Sequence, residues 1–527
     1  MVIDGRLVGN LDVLEADLCV VGAGPAGISL AIEVARAGGT VCLLESGGRL
    51  PDRATDRLSD GARVGYWYYP LPATRGRAFG GTSLRWAATP MDRHEGWRAR
   101  PLEAVDFERR EEIPFSGWPF GYPTLRPFYE RAQSICRLGP FDYELERWQT
   151  PDASPLSLDG DISTAIFQHG HDDFGSYFDE VSRSERVRLV LNSTAIEIVT
   201  DGPTGAVTEV VAAGRRPARF SVKARFYVLA TGGIDNARLL LVSSRSQPAG
   251  LGNGEGLVGR FFMERLTART GFIVPTKPDF FERIAYYAQR RVDGTTVGAV
   301  LCSSEDAVRR EGLLQCAFHL VPDSRAGCSD GMRGAANVVR ALRRRPIPPG
   351  IARQAGIAVR GLADVARARL PRRQDGRPEV VALRVQAEQA PNPDSRVSLD
   401  RARDAFGLPK ARLDWRIGER DRWSIRRAQD LLDAELRARG LGRVEQRLGD
   451  ESAPVLFLGT FHHMGTTRMH DSPREGVVDR NCRVHGIENL FVTGASVFPT
   501  SGFANPTLTV VALALRLADH VKERLAL

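Results

Sequence analysis

The sequence predicts an α/β protein in which a Rossmann-like, dinucleotide-binding domain is joined to an α+β domain with an antiparallel sheet. Three observations predict this fold. A glycine-rich turn at 22–27 joins a short apolar strand to a helical pattern. Several segments between 266 and 417 alternate polar and apolar residues with a period of two, which is typical of half-buried strands. At 527 residues, the chain exceeds the length that one compact core usually serves.

The glycine-rich turn lies in a complete β-turn-α-β unit. Strand, turn, helix and strand follow one another at 17–21, 22–27, 28–37 and 40–44. In such a unit, three glycines allow the tight turn, the close approach of a diphosphate and the packing of helix on strand; here they are Gly22, Gly24 and Gly27. Glu45 ends the second strand, where an acid accepts a hydrogen bond from a ribose hydroxyl, so NADP is disfavoured while FAD and NAD remain open.

Two C-terminal segments carry residues suited to catalysis. His462-His463-Met-Gly-Thr-Thr-Arg-Met places two imidazoles in a turn-forming context, and 496–509 contains Asn505-Pro506 ahead of an apolar run. A proline after a polar residue is typical of a helix start, so Asn505 is expected at the N-terminus of the last helix, as a cap, a hydrogen-bond donor or both. A neutral histidine can accept a proton, so the pair suits the removal of a proton and a hydride from an alcohol.

Two further glycine-rich segments complete the pattern. One spans 75–86 and contains Gly80-Gly81-Thr82-Ser83, and the other is Tyr227-Val-Leu-Ala-Thr-Gly-Gly, which ends a strand. In order and spacing, all these segments resemble the glucose–methanol–choline (GMC) family of FAD-dependent oxidoreductases, and its pyranose-oxidase-like branch most closely. The resemblance covers roughly half of the chain and implies a Rossmann-like FAD-binding domain.

The resemblance also implies roles for individual residues. His462 falls on the family's catalytic base and Asn505 on its catalytic partner, with His463 as the alternative base. Some sugar oxidases of this branch tether the flavin through a histidine where this chain has Arg85, so non-covalent FAD is expected. The residues expected at the cofactor are Gly22, Gly24, Gly27, Glu45, Gly81, Thr82, Ser83, Gly494, Ala495, Pro506 and Thr507.

The expected reaction is the oxidation of an alcohol to a ketone or aldehyde by hydride transfer to flavin N5, with His462 taking the hydroxyl proton. The resemblance favours a sugar, aminosugar, cyclitol or glycoside and leaves aliphatic and aromatic alcohols open. Aromatic and polar residues at 66–69 and 386–389 favour a hydroxylated ring unless they fill the core between domains. Glu388 would favour an amino-bearing sugar if it faced the pocket. Oxygen or another carrier is the expected electron acceptor.

Two other functions are compatible with a dinucleotide-binding domain. A pyridine-nucleotide-linked flavoprotein would carry a second GxGxxG motif or a redox CxxC pair, and the sequence has neither. A flavin-binding protein that had lost its chemistry would not need both His462 and Asn505. Both alternatives are disfavoured.

The nucleotide-binding pieces occur in three separate blocks. The predicted FAD-binding domain comprises 1–90, 186–265 and 455–527, and the predicted substrate-binding domain comprises 91–185 and 266–454. In the second domain the pattern predicts antiparallel strands and one long helix, at 266–274, 294–302, 314–321, 380–386, 411–417 and 421–439.

Charge gives no support for a nucleic-acid partner. The net charge is +8, and nearly all of the basic residues are arginines, because the chain has only four lysines. Aromatic residues do not alternate with basic ones as they do in base-stacking proteins. An arginine-rich helical pattern at 340–373 is interpreted as a solvated part of the substrate domain. A surface for a lipid, an acidic carrier or an electron-accepting partner is the alternative.

Cysteine usage and the first residues predict a reduced, cytoplasmic protein. The seven cysteines are scattered, without the spacing of a zinc or redox site, so no metal is predicted. The first twenty residues lack the basic start and apolar run of a signal peptide. No apolar stretch reaches the length of a transmembrane helix.

Overall fold

The computed structural model describes most of the chain. The described residues are 1–88, 96–150, 153–158, 160–202, 205–214, 218–324, 331, 334–335, 338–339, 351–361, 378–449 and 455–527. Most of the arginine-rich segment 340–373 lies outside them, so its predicted role stays a prediction.

The described strands are spread over the whole chain. In chain order they are β1 (Val2–Asp4), β2 (Val13–Val21), β3 (Val41–Leu44), β4 (Gly61–Gly65), β5 (Trp97–Ala99), β6 (Ile162–Gly170), β7 (Val187–Leu191), β8 (Thr194–Thr200), β9 (Val207–Ala213), β10 (Phe220–Leu229), β11 (Leu266–Pro275), β12 (Arg290–Val292), β13 (Thr295–Ser303), β14 (Cys316–Asp323), β15 (Val380–Ala387), β16 (Arg396–Arg403), β17 (Pro409–Trp415), β18 (Gly442–Gln446) and β19 (Leu490–Val492).

Helices connect and cover these strands. Those described are α1 (Pro25–Arg36), α2 (Arg53–Asp56), α3 (Ala104–Phe107), α4 (Tyr122–Ile135), α5 (Phe178–Arg183), α6 (Gly232–Val242), α7 (Phe280–Arg283), α8 (Glu305–Glu311), α9 (Ile351–Arg360), α10 (Glu419–Ala438) and α11 (Thr507–Leu525). None of these helices combines the length and the apolar character that a membrane crossing needs.

The first sheet contains the N-terminal β-turn-α-β unit. Its strands run in the order β1-β7-β3-β2-β10, all parallel, and β19 pairs in parallel with the end of β10. β9 and β8 extend it in antiparallel pairing from the start of β10. Residues 18–21 and 41–44 are buried, as expected for strands inside a parallel sheet that is covered on both faces. Helix α11 packs on α1 and brings the C-terminal segment to this sheet.

The second sheet is antiparallel and runs in the order β18-β11-β15-β14-β13-β6-β5, with β12 beside β13. The strands predicted at 266–274, 294–302, 314–321 and 380–386 are β11, β13, β14 and β15. The segment predicted as a strand at 411–417 is also a strand, but it lies outside this sheet. That segment overlaps β17, which pairs with β16 and, in parallel, with β4 in a separate small sheet.

Candidate active site

The turn between β2 and α1 forms one wall of an open cleft. Gly22 has a φ of +106°, which other residues rarely adopt, and a Cβ on Gly27 would lie 1.9 Å from the Gly22 carbonyl oxygen. A Cβ on Gly24 would meet no protein atom within 4 Å. The fold itself therefore requires Gly22 and Gly27, whereas Gly24 faces open space in which a diphosphate can approach the backbone.

Glu45 continues this wall at the end of β3. Its buried carboxylate accepts hydrogen bonds from the backbone N–H groups of Ala23 (3.0 Å) and Gly47 (2.8 Å). Burial raises the pKa of this carboxyl, and the two N–H groups oppose the rise. The side chain thus holds the glycine-rich turn and lines the cleft at the end of the second strand, where the sequence predicts a ribose.

The second glycine-rich turn packs directly on the first. A Cβ on Gly81 would lie 2.9 Å from Gly24 Cα, so the two turns touch. The Ser83 hydroxyl donates to the Gly80 carbonyl (2.6 Å). Arg85 forms an ion pair within the protein, because its guanidinium donates to the Asp56 carboxylate at 2.7 Å.

The cleft between these elements has an empty volume of about 1450 Å³, including the part open to solvent. Gly27 lies behind its wall, and Asn505 immediately precedes the wall residue Pro506. The open backbone at Gly24, the ribose-side acid and the adjacent histidine pair together fit FAD. The predicted cofactor residues that line the cleft are Gly22, Gly24, Glu45, Gly81, Thr82, Ser83, Gly494, Ala495, Pro506 and Thr507.

His462 lines the cleft and has a defined proton arrangement. Its Nδ1 lies 2.7 Å from the Thr460 hydroxyl, which in turn donates to the Arg265 carbonyl (3.4 Å). The hydroxyl therefore accepts from His462 Nδ1–H, which leaves the lone pair on Nε2. Burial, followed by the positive charges of Arg265 and Arg98, lowers the pKa of this ring well below 6.5, so His462 is neutral at pH 7.

His463 lines the cleft as well, but one of its nitrogens is already used. Its Nε2 lies 2.8 Å from the Tyr68 hydroxyl, and that hydroxyl donates to the carboxylate of Glu264. The Tyr68 oxygen then accepts from His463 Nε2–H. Burial lowers the pKa of His463 to about 3. This arrangement favours His462 over His463 as the base.

Glu264 is fully buried behind the two histidines. One carboxylate oxygen accepts the backbone N–H groups of His462 and Thr460, each at 3.0 Å, and the other accepts the Tyr68 hydroxyl. Burial raises the pKa of Glu264 to about 7, and these donors oppose the rise. A single carboxylate therefore fixes the backbone that carries the candidate base.

Asn505 does not cap the last helix. Helix α11 begins at Thr507 with Pro506 as its N-cap, one residue later than the sequence pattern suggests. The Asn505 Oδ1 instead accepts a hydrogen bond from Arg265 Nη1 at 2.7 Å. The capping interpretation was wrong because a buried guanidinium, distant in sequence, takes the amide oxygen.

One face of the antiparallel sheet lies against the Asn505 segment. Phe503 belongs to a buried apolar cluster that includes Ala317 of β14. Ala317 is the register partner of Gln386 on β15, so the side chains of Ala317 and Gln386 share that face. His319, two residues along β14, lies on the same face. Its Nε2 is 3.0 Å from the Gln386 carboxamide oxygen, and Arg98 Nη1 lies 2.7 Å from the same Nε2 and 3.0 Å from Nδ1. Arg98, His319 and Gln386 therefore form a connected row of polar groups on this face.

Glu388 is engaged by other residues of the protein. Its fully buried carboxylate forms a two-point ion pair with Arg110, at 2.6 and 3.0 Å, and also accepts the backbone N–H of Gln315. The expectation that Glu388 could recognise an amino group was wrong, because Arg110 already occupies it.

The aromatic run at 66–69 is mostly core. Tyr68 is buried against His463, and Tyr69 packs on Phe461 with ring centroids 4.9 Å apart. These rings support the histidine loop instead of forming an exposed sugar platform.

The sequence pattern missed Glu264, Arg265, Arg98 and His319, and it placed Tyr68 at the substrate instead of behind His463. Two of them had a local signal. Glu264 and Arg265 are adjacent charges placed between Phe-Phe-Met and the predicted strand 266–274. Charges in a segment this apolar are rarely buried unless they have partners, so they mark a paired site.

Gly24→Ala provides a test of the cleft that leaves the fold intact. Gly24 has φ −89° and ψ −173°, which alanine adopts freely, and its Cβ would meet no protein atom. We expect roughly tenfold weaker FAD binding or worse, about 1.4 kcal/mol, with apoprotein stability unchanged. Titration of apoprotein with FAD and thermal unfolding measure the two effects. Gly27→Ala is the matched control, because its Cβ would collide with Gly22 and should destabilise the apoprotein as well. Unchanged FAD affinity in Gly24→Ala would contradict this placement.

Within the described ranges, no group of three or more His, Cys, Asp or Glu side chains could hold a metal ion. The cysteines in those ranges, at 19, 42, 136, 302, 316 and 482, are free thiols and buried.

Two family descriptions match the sequence. "FAD dependent oxidoreductase" matches residues 17–363, about two thirds of the chain, and "GMC oxidoreductase" matches residues 391–514. The first range contains both glycine-rich turns, and the second contains the histidine pair and Asn505.

Characterised relatives align over almost the full chain. Paromamine 6′-oxidase of Streptomyces fradiae is 26% identical, and the alignment covers 96% of this chain and 91% of that protein. A 2-methyl-1,2-propanediol dehydrogenase of Mycolicibacterium austroafricanum is 25% identical, with 97% and 96% covered. Among solved structures, a fungal aryl-alcohol oxidase superposes with a TM-score of 0.55 at 16% identity, covering 99% of this chain and 100% of that one. That last likeness concerns the fold alone.

Proposed function

Because this chain belongs to the GMC family of FAD-dependent oxidoreductases, we propose that it oxidises a hydroxyl group of a sugar-like substrate, with His462 as the base and Asn505 as its hydrogen-bonding partner. The protein is an FAD-dependent enzyme that acts on alcohols. The observation that carries the choice of residues is the neutral, Nε2-basic His462 at the cleft, held by Thr460 and Glu264.

FAD, when bound in the cleft, supplies the acceptor for the hydride that leaves the carbinol carbon. His462 Nε2 takes the hydroxyl proton, and its low pKa keeps it free to do so at neutral pH. The N-terminus of α11 at Thr507 lines the same cleft and adds partial positive charge there. That charge stabilises negative charge that develops in the cleft.

The polar sheet face supports a substrate rich in hydroxyl groups. Arg98, His319 and Gln386 offer donors and acceptors side by side, close to Phe503 and the Asn505 segment. The hydroxyl groups of a sugar-like substrate can hydrogen-bond to such a row, whereas an alkyl or benzyl chain cannot. The similarity to paromamine 6′-oxidase agrees with a sugar-like substrate.

An aliphatic alcohol is the second candidate. The similarity to a 2-methyl-1,2-propanediol dehydrogenase, at nearly the same identity, favours it. The polar sheet face weighs against it. Oxygen and another electron carrier remain the two candidate acceptors.

A panel of alcohols separates these substrates. Under anaerobic conditions, we expect neutral sugars, cyclitols or glycosides to bleach the flavin absorbance near 450 nm faster than long-chain, benzylic or small aliphatic alcohols do. Aminosugars belong in the panel, although Glu388 gives them no advantage. A faster reaction with hydrophobic alcohols would contradict the sugar-like substrate and leave the alcohol chemistry intact.

We also propose the discontinuous division into an FAD-binding domain (1–90, 186–265, 455–527) and a substrate-binding domain (91–185, 266–454). The first sheet draws its strands from the former ranges and the second sheet from the latter. We propose non-covalent FAD, because Arg85 stands at the linking position and is paired with Asp56. A cytoplasmic location stays a prediction.

A further inference from the structure

Arg265 lies next to Glu264, at the residue before β11, and its side chain is only 1% exposed. Its Nη1 donates to two acceptors of the C-terminal segment, Asn505 Oδ1 and the Phe503 carbonyl, each at 2.7 Å. Both acceptors lie in the loop that leads into α11. The guanidinium therefore contacts the backbone and the side chain of the segment that carries the second candidate catalytic residue.

The chemistry of this contact determines which way the Asn505 amide faces. A guanidinium has donors and no acceptor, so the amide atom that faces it must be the oxygen. The Asn505 Nδ2 then points the other way and offers its two N–H groups. A charge-assisted bond of this kind is about twice as strong as one between neutral groups, which makes the flipped amide unfavourable.

We propose that Arg265 is a positioning residue that fixes the Asn505 carboxamide with its N–H groups toward the substrate oxygen. The inference rests on the proposed function, in which that oxygen becomes negative as His462 removes its proton. A developing alkoxide needs donors, and a flipped amide would present an acceptor and repel it. Arg265 thus selects the orientation that is useful for the reaction.

The same dipeptide holds both candidate catalytic residues. Glu264 accepts the backbone N–H of His462, and Arg265 donates to the side chain of Asn505. The two side chains belong to adjacent residues, so they fix the spacing between the histidine loop and the loop before α11. This explains why a buried pair of opposite charges stands at the start of β11.

A purely structural role is the competing explanation. In that case Arg265 would only anchor the loop through the Phe503 carbonyl, and the orientation of the Asn505 amide would not matter. Asn505→Asp separates the two roles without altering Arg265. An aspartate keeps the ion contact with Arg265 but presents a carboxylate oxygen, with no N–H, to the substrate.

The experiment measures the rate of flavin reduction by the best alcohol of the panel under anaerobic conditions. We expect Asn505→Ala to slow reduction roughly tenfold or more and Asn505→Asp to slow it at least as much, while the Asp variant keeps its FAD and its unfolding temperature. A rate for Asn505→Asp within about threefold of the parent would overturn the proposal, because a donor at this position would then be unnecessary.

A double-mutant cycle tests Arg265 itself. We expect Arg265→Gln to slow reduction about tenfold in the parent but less than about threefold in the Asn505→Ala background, and Arg265→Lys to recover part of the rate. Equal effects in both backgrounds would assign a structural role and overturn the proposal. If Arg265→Gln fails to retain FAD, the Asn505→Asp result decides alone. Failure of the proposed function is distinguishable, because then both His462→Ala and Asn505→Ala would leave the rate unchanged.

Discussion

Replacing His462 by alanine should slow flavin reduction by the alcohol substrate by about 10²- to 10⁴-fold, the usual contribution of a general base. The ring is neutral, its Nδ1–H is engaged by Thr460, and its Nε2 lone pair is free to take a proton. Stopped-flow absorbance near 450 nm under anaerobic conditions measures the rate directly. FAD content should be unchanged, because the glycine-rich turns and Glu45 are untouched.

His463→Ala is the matched control for this experiment. His463 also lines the cleft, but its Nε2–H is used by the Tyr68 hydroxyl. We expect a smaller loss of rate, together with some loss of stability, because Tyr68 loses a partner in a buried site. A larger rate loss for His463→Ala than for His462→Ala would reverse the assignment of the base.

The pH dependence of flavin reduction provides a second test of His462 as the base. The pKa of His462 lies well below 6.5, because of burial and the adjacent arginines, so the base stays deprotonated through neutral pH. We therefore expect the rate of flavin reduction to be constant above about pH 6.5 and to fall only at lower pH. A rate that halves near pH 7 would mean that the ionisation of a group other than His462 limits the reaction.

The nucleotide-binding half could be predicted from sequence because its requirements are local. Gly22, Gly24 and Gly27 are separated by a few residues: Gly22 and Gly27 are required by the geometry of the turn, and Gly24 leaves the backbone open to a ligand. Strands β11, β13, β14 and β15 were also predictable, since their period-two patterns report burial on one face. The partners of β17 could not be predicted, because the sequence of one strand does not specify which strands it pairs with.

The polar residues expected at the substrate could not be predicted in the same way, because their roles depend on hydrogen-bond partners that are distant in sequence. Glu388 and Gln386 are two positions apart on the chain, and nothing in the sequence assigns them different contacts. In the structure Glu388 forms an ion pair with Arg110, whereas Gln386 hydrogen-bonds with His319. Asn505 has the sequence context of a helix cap, but Arg265 takes its oxygen. Such pairings depend on which elements the fold brings together. A local sequence pattern can therefore mark a residue as functional without identifying its hydrogen-bond partner.

Glu264→Gln should change how the stability of the protein depends on pH. Burial raises the pKa of Glu264 from 4.5 to about 7. Below pH 4.5 the carboxyl is protonated in the folded and unfolded chain alike. Between pH 4.5 and 7 the folded protein holds a proton that the unfolded chain has released, so the free energy of unfolding falls as the pH rises. Above pH 7 the accumulated loss is about 3 kcal/mol.

The glutamine variant lacks this titration, so its stability relative to the parent should rise between pH 4.5 and 7 and level off above that range. Its amide oxygen can still accept the N–H groups of His462 and Thr460, which preserves the loop. Denaturant unfolding of the FAD-loaded proteins across this pH range measures the difference.

Asp235→Asn is the control for this measurement, with the opposite sign. Asp235 is largely buried, with 15% of its side chain exposed, but Arg75, Arg77 and Arg238 outweigh the burial and lower its pKa to about 2. Its carboxylate therefore stabilises the fold above pH 3.8. The free energy of unfolding of the asparagine variant should lie below that of the parent by a constant amount from pH 4.5 to 8. A flat difference for Glu264→Gln over the same range would mean that Glu264 ionises normally in the folded protein. The carboxylate would then hold His462 and Tyr68 at no cost in stability, and the buried network behind the base would be fully compensated by its hydrogen bonds.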